Sequence, residues 1–299
     1  MAHQITTEVA VIGAGISGLT AGHFLKQQGR TVYLLEKSEQ IGGAVHSEQR
    51  NGFLIEFGPT SIMDTTPLLH EMFSSLNITD DLIYANDTSK NRYIVRNGRL
   101  NALPMSPPAF LRSKLFSTSA KFRLLKEPFL RPAEPDVDES LADFVLRRLG
   151  REFLDYAINP FVAGVYAGSP ETLSVRSAFP KLHQLEQDYG SLIKGAIFGA
   201  RKRRKRTETS KSSARLLSFH NGLQTLVDAL DRDLEGRIFT GAGIQSIQRK
   251  GAGFHIDFNR DGDTFHLTAD TLLITVPAHT FPSLPLDFHG SLVEVFQQI

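Results

Sequence analysis

Six residues near the start, Gly13-Ala14-Gly15-Ile16-Ser17-Gly18, constrain the fold more than any others because of what flanks them. Thr7 to Ile12 reads as a buried strand, carried by Val9, Val11 and Ile12, and Ser17 to Gln28 reads as a helix ended by Gly29. Thr31 to Leu35 is a second apolar strand, with Glu36 at its tip. A lone glycine signature is weak, but strand, glycine turn, helix, strand and acid in this order predict a βαβ dinucleotide-binding unit. Gly13 permits the tight turn, Gly15 lets the backbone approach a pyrophosphate, and Gly18 lets the helix lie close to the strand. The helix N-terminus offers free N–H groups and the positive end of its dipole to phosphate. Glu36 has the spacing of a carboxylate that accepts from a ribose 2′-hydroxyl, which disfavours a 2′-phosphate there. The pair Gly42-Gly43 that follows points to FAD rather than a nicotinamide.

Beyond this unit the chain has room for more than one lobe, at 299 residues. Its net charge of +1 gives no bulk attraction to nucleic acid, and none is expected as a partner. The absence of cysteine removes disulfides, thiolate nucleophiles and cysteine-linked flavin. Met1 to Glu8 is short and polar, so no signal peptide is expected, and no apolar run reaches the roughly 18 residues of a membrane span. The expectation is a cytoplasmic protein, or one resting on the cytoplasmic face of a membrane. The ten histidines lack metal-ligand spacing, and no Gly-x-Ser-x-Gly elbow is present. No metal and no catalytic nucleophile, acid or base is assigned.

Asn51-Gly52 and Asn97-Gly98 each separate two short alternating runs and predict hairpins, Ala44–Glu48 with Phe53–Phe57 and Arg92–Arg96 with Arg99–Leu103. Pro67 to Leu76 reads as a short helix between them. From Leu103 to Pro135, apolar pairs such as Phe110-Leu111, Leu124-Leu125 and Phe129-Leu130 alternate with Arg112, Lys114, Lys121, Arg123, Lys126 and Arg131. Such a segment either meets a lipid surface or packs on its own core, and prolines obscure its periodicity. Ser140 with Asp143 predicts a capping box for a helix ended by Gly150. A further helix is expected from Arg151 to Asn159-Pro160, followed by a glycine-rich aromatic stretch, Phe161 to Ser169. One helix is then expected from Pro180 to about Ala200. The basic run Arg201 to Arg206 reads first as a solvated loop, with nucleic acid or anionic lipid headgroups as the alternatives, and the Ser/Thr-rich residues after it read as mobile. A helix over Leu223 to Leu234 and strands over Arg237–Thr240, Gly243–Arg249, Phe254–Asn259, Phe265–Ala269 and Thr271–Val276 close the pattern. The last strand is expected to rejoin the first sheet.

The glycine turn, Glu36, Gly42-Gly43 and Phe57-Gly58-Pro59 together resemble the flavin amine oxidase superfamily. Asn159-Pro160-Phe161-Val162-Ala163-Gly164-Val165-Tyr166-Ala167-Gly168, with Leu173-Ser174, Phe179-Pro180 and Phe219-His220-Asn221-Gly222-Leu223-Gln224-Thr225-Leu226, resembles the protoporphyrinogen oxidase family. The resemblance implies an α/β fold: a Rossmann-like FAD-binding domain of the GR2 type, with a helical insertion and a partial substrate-binding sheet. The implied division is residues 1–90 for the first part of the FAD domain, 91–204 for the hairpin and helical domain that meets substrate or membrane, and 205–299 for the second, incomplete part. It implies FAD-dependent oxidation of protoporphyrinogen IX to protoporphyrin IX in heme biosynthesis, with molecular oxygen as acceptor, membrane-surface contact and a homodimer. Coproporphyrinogen III oxidation, another flavin oxidase or desaturase activity, and a non-catalytic FAD-binding module are the alternatives.

Residue by residue, the resemblance gives Gly13, Ala14, Gly15, Ile16, Ser17 and Gly18 to the pyrophosphate, and Glu36 with Lys37 to the adenosine ribose. Gly42, Gly43 and Ala44, together with Gly58, Pro59, Thr60 and Ser61, line the flavin side. Ile244 meets adenine, and Thr275 and Val276 pack near the cofactor. Arg92 pairs a substrate propionate, for which a guanidinium fork is suited; apart from the resemblance it reads as a solvated hairpin arginine. Ile62-Met63-Asp64 departs from an arginine-containing segment of some members. Val293 to Ile299 reads as an unfinished helix, and the resemblance implies further sequence that completes the substrate pocket. The expectation is therefore an N-terminal portion of a longer protein, or the product of an interrupted reading frame, that binds FAD weakly and whose turnover is left open.

Overall fold

The structure is a computed structural model and describes residues 2–86, 88, 92–104, 106–134, 137–203 and 214–287. The chain divides into two compact units: a sheet unit, Met1–Ala85 with Glu208–Ile299, and a helical unit, Asn86–Thr207, inserted between its two halves.

The sheet unit begins with β1 (Ala2–Ile12), α1 (Ile16–Gln27) and β2 (Val32–Leu35). Next come the hairpin β3 (Ser47–Arg50) and β4 (Phe53–Glu56), then β5 (Ile62–Met63), α2 (Pro67–Ser75) and β6 (Leu82–Tyr84). The helical unit follows with the hairpin β7 (Tyr93–Arg96) and β8 (Arg99–Ala102). Its helices are α3 (Pro107–Arg112), α4 (Thr118–Lys126), α5 (Leu141–Arg148), α6 (Arg151–Phe153), α7 (Asn159–Tyr166), α8 (Val175–Ala178), α9 (Pro180–Tyr189) and α10 (Leu192–Arg203). The chain then returns to the sheet unit through β9 (Leu216–Phe219), α11 (Gln224–Asp233), β10 (Ile238–Phe239), β11 (Gly243–Lys250), β12 (Gly253–Arg260) and β13 (Asp263–Ile274).

The main sheet has the order β10-β2-β1-β13-β12-β11. Strands β10, β2, β1 and β13 are parallel, and β12 and β11 extend the sheet antiparallel. Both faces of β1 are covered, which is why its end is a continuous apolar run. Val9 and Val11 pack with Leu19, Phe73, Leu226 and Leu230 on the helix-covered face. Ala10 and Ile12 pack with Ile247, Ile256, Phe258 and Leu267 on the other. A smaller sheet, β5-β9-β6, joins the two sequence halves of this unit.

Asn51-Gly52, Asn97-Gly98 and Asp261-Gly262 all have positive φ at both residues, the geometry that two-residue hairpin turns demand. Ser140 Oγ accepts from the Asp143 N–H at 3.0 Å, capping α5 as anticipated. Several expectations change. Helix α10 continues through Arg203, into the basic run expected as a loop, and the first hairpin strand is Ser47–Arg50 rather than Ala44–Glu48. Phe265–Ala269 and Thr271–Val276 are not separate strands: β13 runs unbroken over Asp263–Ile274 and pairs with β1 from Ala2 onward. The helix expected to stop at Asn159-Pro160 continues to Tyr166. A π-helical stretch, Leu154–Ile158, resets the register so that Pro160 falls in the first turn of α7, where its missing N–H has no helical partner to lose. The single helix expected from Pro180 is two, broken where Gly190 adopts φ 66 and Ser191 caps α10 by accepting from the Lys194 N–H. Arg204 to Arg206, the Ser/Thr-rich residues up to Ser213 and the Val293–Ile299 helix lie outside the described residues.

In the helical unit, Leu141, Phe144, Val145, Leu154, Val162 and Val175 form one core. Beside it lies a set of buried charges. Arg148 and Glu127 are both 0% exposed, and Glu186 is 1% exposed. Arg148 pairs with Glu186 and Glu127, and donates to the carbonyls of Leu130 (3.2 Å) and Gly190 (2.8 Å). Glu127 accepts from the N–H groups of Leu192 (2.9 Å) and Ile193 (3.2 Å), so it also caps α10. Burial pushes the Glu186 carboxyl up, but the Arg147 hydrogen bond and the charges of Arg147 and Arg148 hold it below the usual carboxylate range.

Candidate functional site

The turn between β1 and α1 is built by backbone packing. Gly13 has φ 99 and donates to the Leu35 carbonyl at 2.8 Å, which joins the turn to the end of β2. A Cβ on Gly18 would lie 2.0 Å from the Gly13 oxygen and 2.8 Å from Thr275 Oγ1, so only glycine fits. Gly15 is different. It has no positive φ, and a Cβ there would meet only Gly43 Cα, at 3.9 Å, so the space over Gly15 is open. Gly15 is also the N-cap of α1, and no side chain caps the helix. Its dipole and amide groups therefore face an open cradle lined by glycine backbone, which suits an anion.

The glycine pair sits against this turn. Gly42 donates to the Ala14 carbonyl at 2.8 Å and forms an isolated bridge with Gly15. Gly42 and Gly43 both have positive φ, at 97 and 62. The Ala44 carbonyl in turn abuts Gly58, where a Cβ would overlap it. Pro59 and Thr60 follow on the surface, and Ser61 is half-buried.

Glu36 accepts from the Ala14 N–H at 2.8 Å through one oxygen and from the Ser38 N–H at 2.9 Å through the other. Two main-chain donors thus fix its rotamer, and each oxygen keeps a lone pair for a further donor. The β10–β11 connection lies alongside: Ala242 donates to the Glu36 carbonyl at 2.8 Å and Gly241 to the Ser38 carbonyl at 3.0 Å. Ile244 follows on β11, half-buried against the second face of the sheet. Lys37 points to solvent. Thr275 Oγ1 stands 3.0 Å from the carbonyl oxygens of both Ile12 and Gly13, and a Cβ on Gly13 would lie 3.4 Å from Val276 Cγ1. The end of β13 is thereby tied to the turn.

The structure brings Gly13 to Gly18, Glu36, Gly42 to Ala44, Gly58, Thr275 and Val276 together at one end of the main sheet. Arg92 belongs to the helical unit, exposed at the start of the second hairpin, where its carbonyl accepts from the Leu103 N–H at 2.8 Å. The sequence reading missed two residues beside the site, Ser47 and Glu56. They face each other across the first hairpin, and both bond to main-chain N–H groups at the start of α11. The Asn51-Gly52 turn fixes that pairing by register, so the pair itself was readable from sequence, though not its partner helix.

An adenosine diphosphate group fits these residues: glycine backbone and an uncapped helix start for the pyrophosphate, and a fixed carboxylate for a ribose hydroxyl. Comparison with known proteins agrees. The family described as flavin containing amine oxidoreductase matches residues 16–292. Protoporphyrinogen oxidase 2 (chloroplastic/mitochondrial) of Arabidopsis thaliana is 35% identical over 250 residues, covering 78% of this chain and 49% of that protein. Coproporphyrinogen III oxidase of Staphylococcus aureus is 30% identical over 292 residues, covering 93% of this chain and 62% of that protein. The chain thus spans about half to three-fifths of the length of these relatives. A crystal structure of a protein from Exiguobacterium sp. matches with a TM-score of 0.70 at 24% identity, covering 96% of this chain and 63% of that one. A putrescine oxidase bound to putrescine matches with a TM-score of 0.65 at 17% identity, covering 95% and 61%. These structures share the fold.

Proposed function

The chain belongs to the flavin containing amine oxidoreductase family, and on that premise we propose that it binds FAD and serves the oxidation of a porphyrinogen to a porphyrin. The observation that carries this reading is the extent of the similarity. Identity with enzymes named for porphyrinogen oxidation runs over 93% of the chain in one case, so it takes in the helical unit as well as the sheet unit.

FAD, when bound, supplies a two-electron acceptor for a C–H bond. The chain's own residues bind and orient. Gly13 to Gly18 present α1 to the pyrophosphate, Glu36 accepts from the ribose, and Gly42 to Ala44 with Gly58 to Ser61 form the flavin-side wall. A porphyrinogen bridge carbon lies between two pyrroles that stabilise positive charge, so no side-chain base is required of this chain, and its contribution is positioning. In this reading Arg92 holds a substrate propionate by a charge-assisted hydrogen bond. Protoporphyrinogen IX is the favoured substrate. The Staphylococcus aureus relative keeps coproporphyrinogen III, with its four carboxylates, as the second. Molecular oxygen as acceptor and a homodimer rest on the family resemblance.

Contact with a membrane surface belongs to the same proposal. Leu111, Phe122, Leu125 and Phe129 are exposed (Phe129 by 86%), and Lys121, Arg123 and Lys126 share α4 with two of them. This mixture of apolar and basic side chains suits a lipid interface. Among the described residues, no helix is long and apolar enough to cross a membrane.

The test is anaerobic mixing of the FAD-loaded chain with each porphyrinogen. Bleaching of the flavin absorbance, and porphyrin fluorescence once oxygen is admitted, are expected. Bound FAD that stays oxidised with both would instead favour a binding module.

A further inference from the structure

One motif singled out in the sequence, Phe219 to Leu226, has no part in holding the cofactor by the geometry above. Its place in the fold explains it. Phe219 ends β9 and packs edge-on against Phe73 in the core, with ring centroids 5.4 Å apart. The chain turns at Gly222, at φ 81, into α11, whose first turn buries Leu226 and Val227. The first amides of this helix go to the first hairpin. Leu223 N–H donates to Glu56 Oε1 at 3.0 Å, and Gln224 N–H donates to Ser47 Oγ at 3.0 Å. The Ser47 hydroxyl in turn donates to Glu56 Oε2. A Cβ on Gly222 would lie 2.6 Å from Ser47 Oγ and 2.8 Å from Glu56 Oε1, so the contact needs glycine there.

We infer that Ser47 and Glu56 form a positioning latch that seats the Gly42-to-Gly58 segment on the glycine turn, with the Phe219–Leu226 turn as its receiver. The hairpin is continuous with both flavin-side elements. Ser47 follows the Gly42–Ala44 stretch, and Glu56 precedes Phe57 and Gly58. Within the segment, Val45 N–H donates to the Gly42 carbonyl at 3.1 Å and Phe57 N–H to the His46 carbonyl at 2.9 Å. The same helix touches the other side of the segment: Val227 methyls lie 3.1 Å from where a Gly42 Cβ would be. The start of α11 thus grips the segment at two points, one polar and one apolar. Strands β3 and β4 are only four residues each and, among the described residues, pair only with each other. Such an isolated hairpin has little stability of its own, so its placement depends on this grip. Ser47 and Glu56 contact no cofactor atoms by this account; they act through Ala44 and Gly58.

The latch rests on the reading that the glycine turn holds FAD, and the test separates the two. The full 299-residue chain is titrated with FAD, recording Kd and the visible circular dichroism of the bound flavin, as wild type, Glu56→Ala, Ser47→Ala, Ser47→Thr and Asp233→Ala. Asp233 lies at the far end of α11, paired with His23 and Lys26, and serves as the control for mere loss of stability. Glu56→Ala is expected to weaken FAD binding by about tenfold, the scale of one well-placed hydrogen-bond pair, and to change the flavin dichroism. Ser47→Ala shifts both in the same direction and Ser47→Thr restores them. Asp233→Ala lowers the melting temperature but leaves Kd and dichroism at wild-type values. If Glu56→Ala binds FAD with wild-type Kd and dichroism, the latch is wrong. If Glu56→Ala fails to fold, Ser47→Ala decides, because the Glu56–Leu223 bond survives in it. A wild type that takes up no FAD overturns the functional reading, and the latch with it.

Discussion

In the sheet unit the glycine turn is set by backbone proximity, since a Cβ on Gly18 would strike the Gly13 carbonyl and one on Gly58 the Ala44 carbonyl. The helical unit is set by buried charge, with Arg148 enclosed by Glu127, Glu186 and main-chain carbonyls. The two arrangements fail differently. Backbone contact tolerates no added atom but needs no partner side chain, so one residue type is required at one position. A buried ion network tolerates changes of shape but not the loss of a member, because the remaining charges are stranded without water. A unit of the first kind suits a rigid ligand cradle. A unit of the second kind fixes how several short helices assemble.

The sharpest way to break the comparison is Arg148→Met, which keeps bulk but leaves Glu127 and Glu186 buried without their common partner. It is expected to cost about 3–5 kcal/mol. Hydrogen exchange should show the loss in α5, α9 and α10, with β1, β2 and β13 still protected. Uniform loss of protection across both units would show that they do not respond separately.

Gly18→Ala is the counterpart in the sheet unit. Its Cβ forces the Gly13 carbonyl or α1 to move, at about 1–3 kcal/mol of overpacking. Denaturant unfolding should register the loss. Unchanged stability would mean that the turn has slack that the 2.0 Å separation of a Gly18 Cβ from the Gly13 oxygen denies.

Acid gives a smaller, graded effect. Glu186 has its folded pKa below the unfolded value, so its stabilising contribution is complete above the unfolded pKa of about 4.3 and is lost as pH falls through the folded one. Protection factors in α9, taken relative to the intrinsic exchange rate at each pH, should therefore fall as pH drops below about 4, and Glu186→Gln should flatten that dependence. An identical profile in the variant would remove the carboxylate from the account.

These contrasts also explain what the sequence disclosed. The βαβ unit was legible because its signals are local: glycines with steric reasons, an acid at a fixed distance, and Asn-Gly turns that set the hairpins. The return of β13 beside β1 followed from a continuous apolar run. The helical unit was legible only in part. Pro160 reads as a helix stop unless the preceding turn widens, and periodicity does not reveal that Gly190 and Ser191 split one apparent helix into two. Glu127, Arg148 and Glu186 carried no signal in the sequence, because their pairing spans tens of residues and only folding brings them together. At the site, the glycines and Glu36 were visible as spacing. The donors that fix Glu36, from Ala14 and Ser38, and the grip of α11 on Ser47 and Glu56 depend on tertiary placement.

The central claim is that the open space over Gly15, at the uncapped start of α1, is where the FAD pyrophosphate lies. Gly15→Ala tests it most directly, because the backbone there is unstrained and an added Cβ meets only Gly43 Cα, at 3.9 Å, so the fold accepts the methyl while a phosphate in the cradle competes with it. Calorimetric titration with FAD should show saturable binding to the wild type and clearly weakened binding by Gly15→Ala, with both flavin-free proteins still unfolding cooperatively. Equal FAD affinity in the two proteins would contradict the assignment.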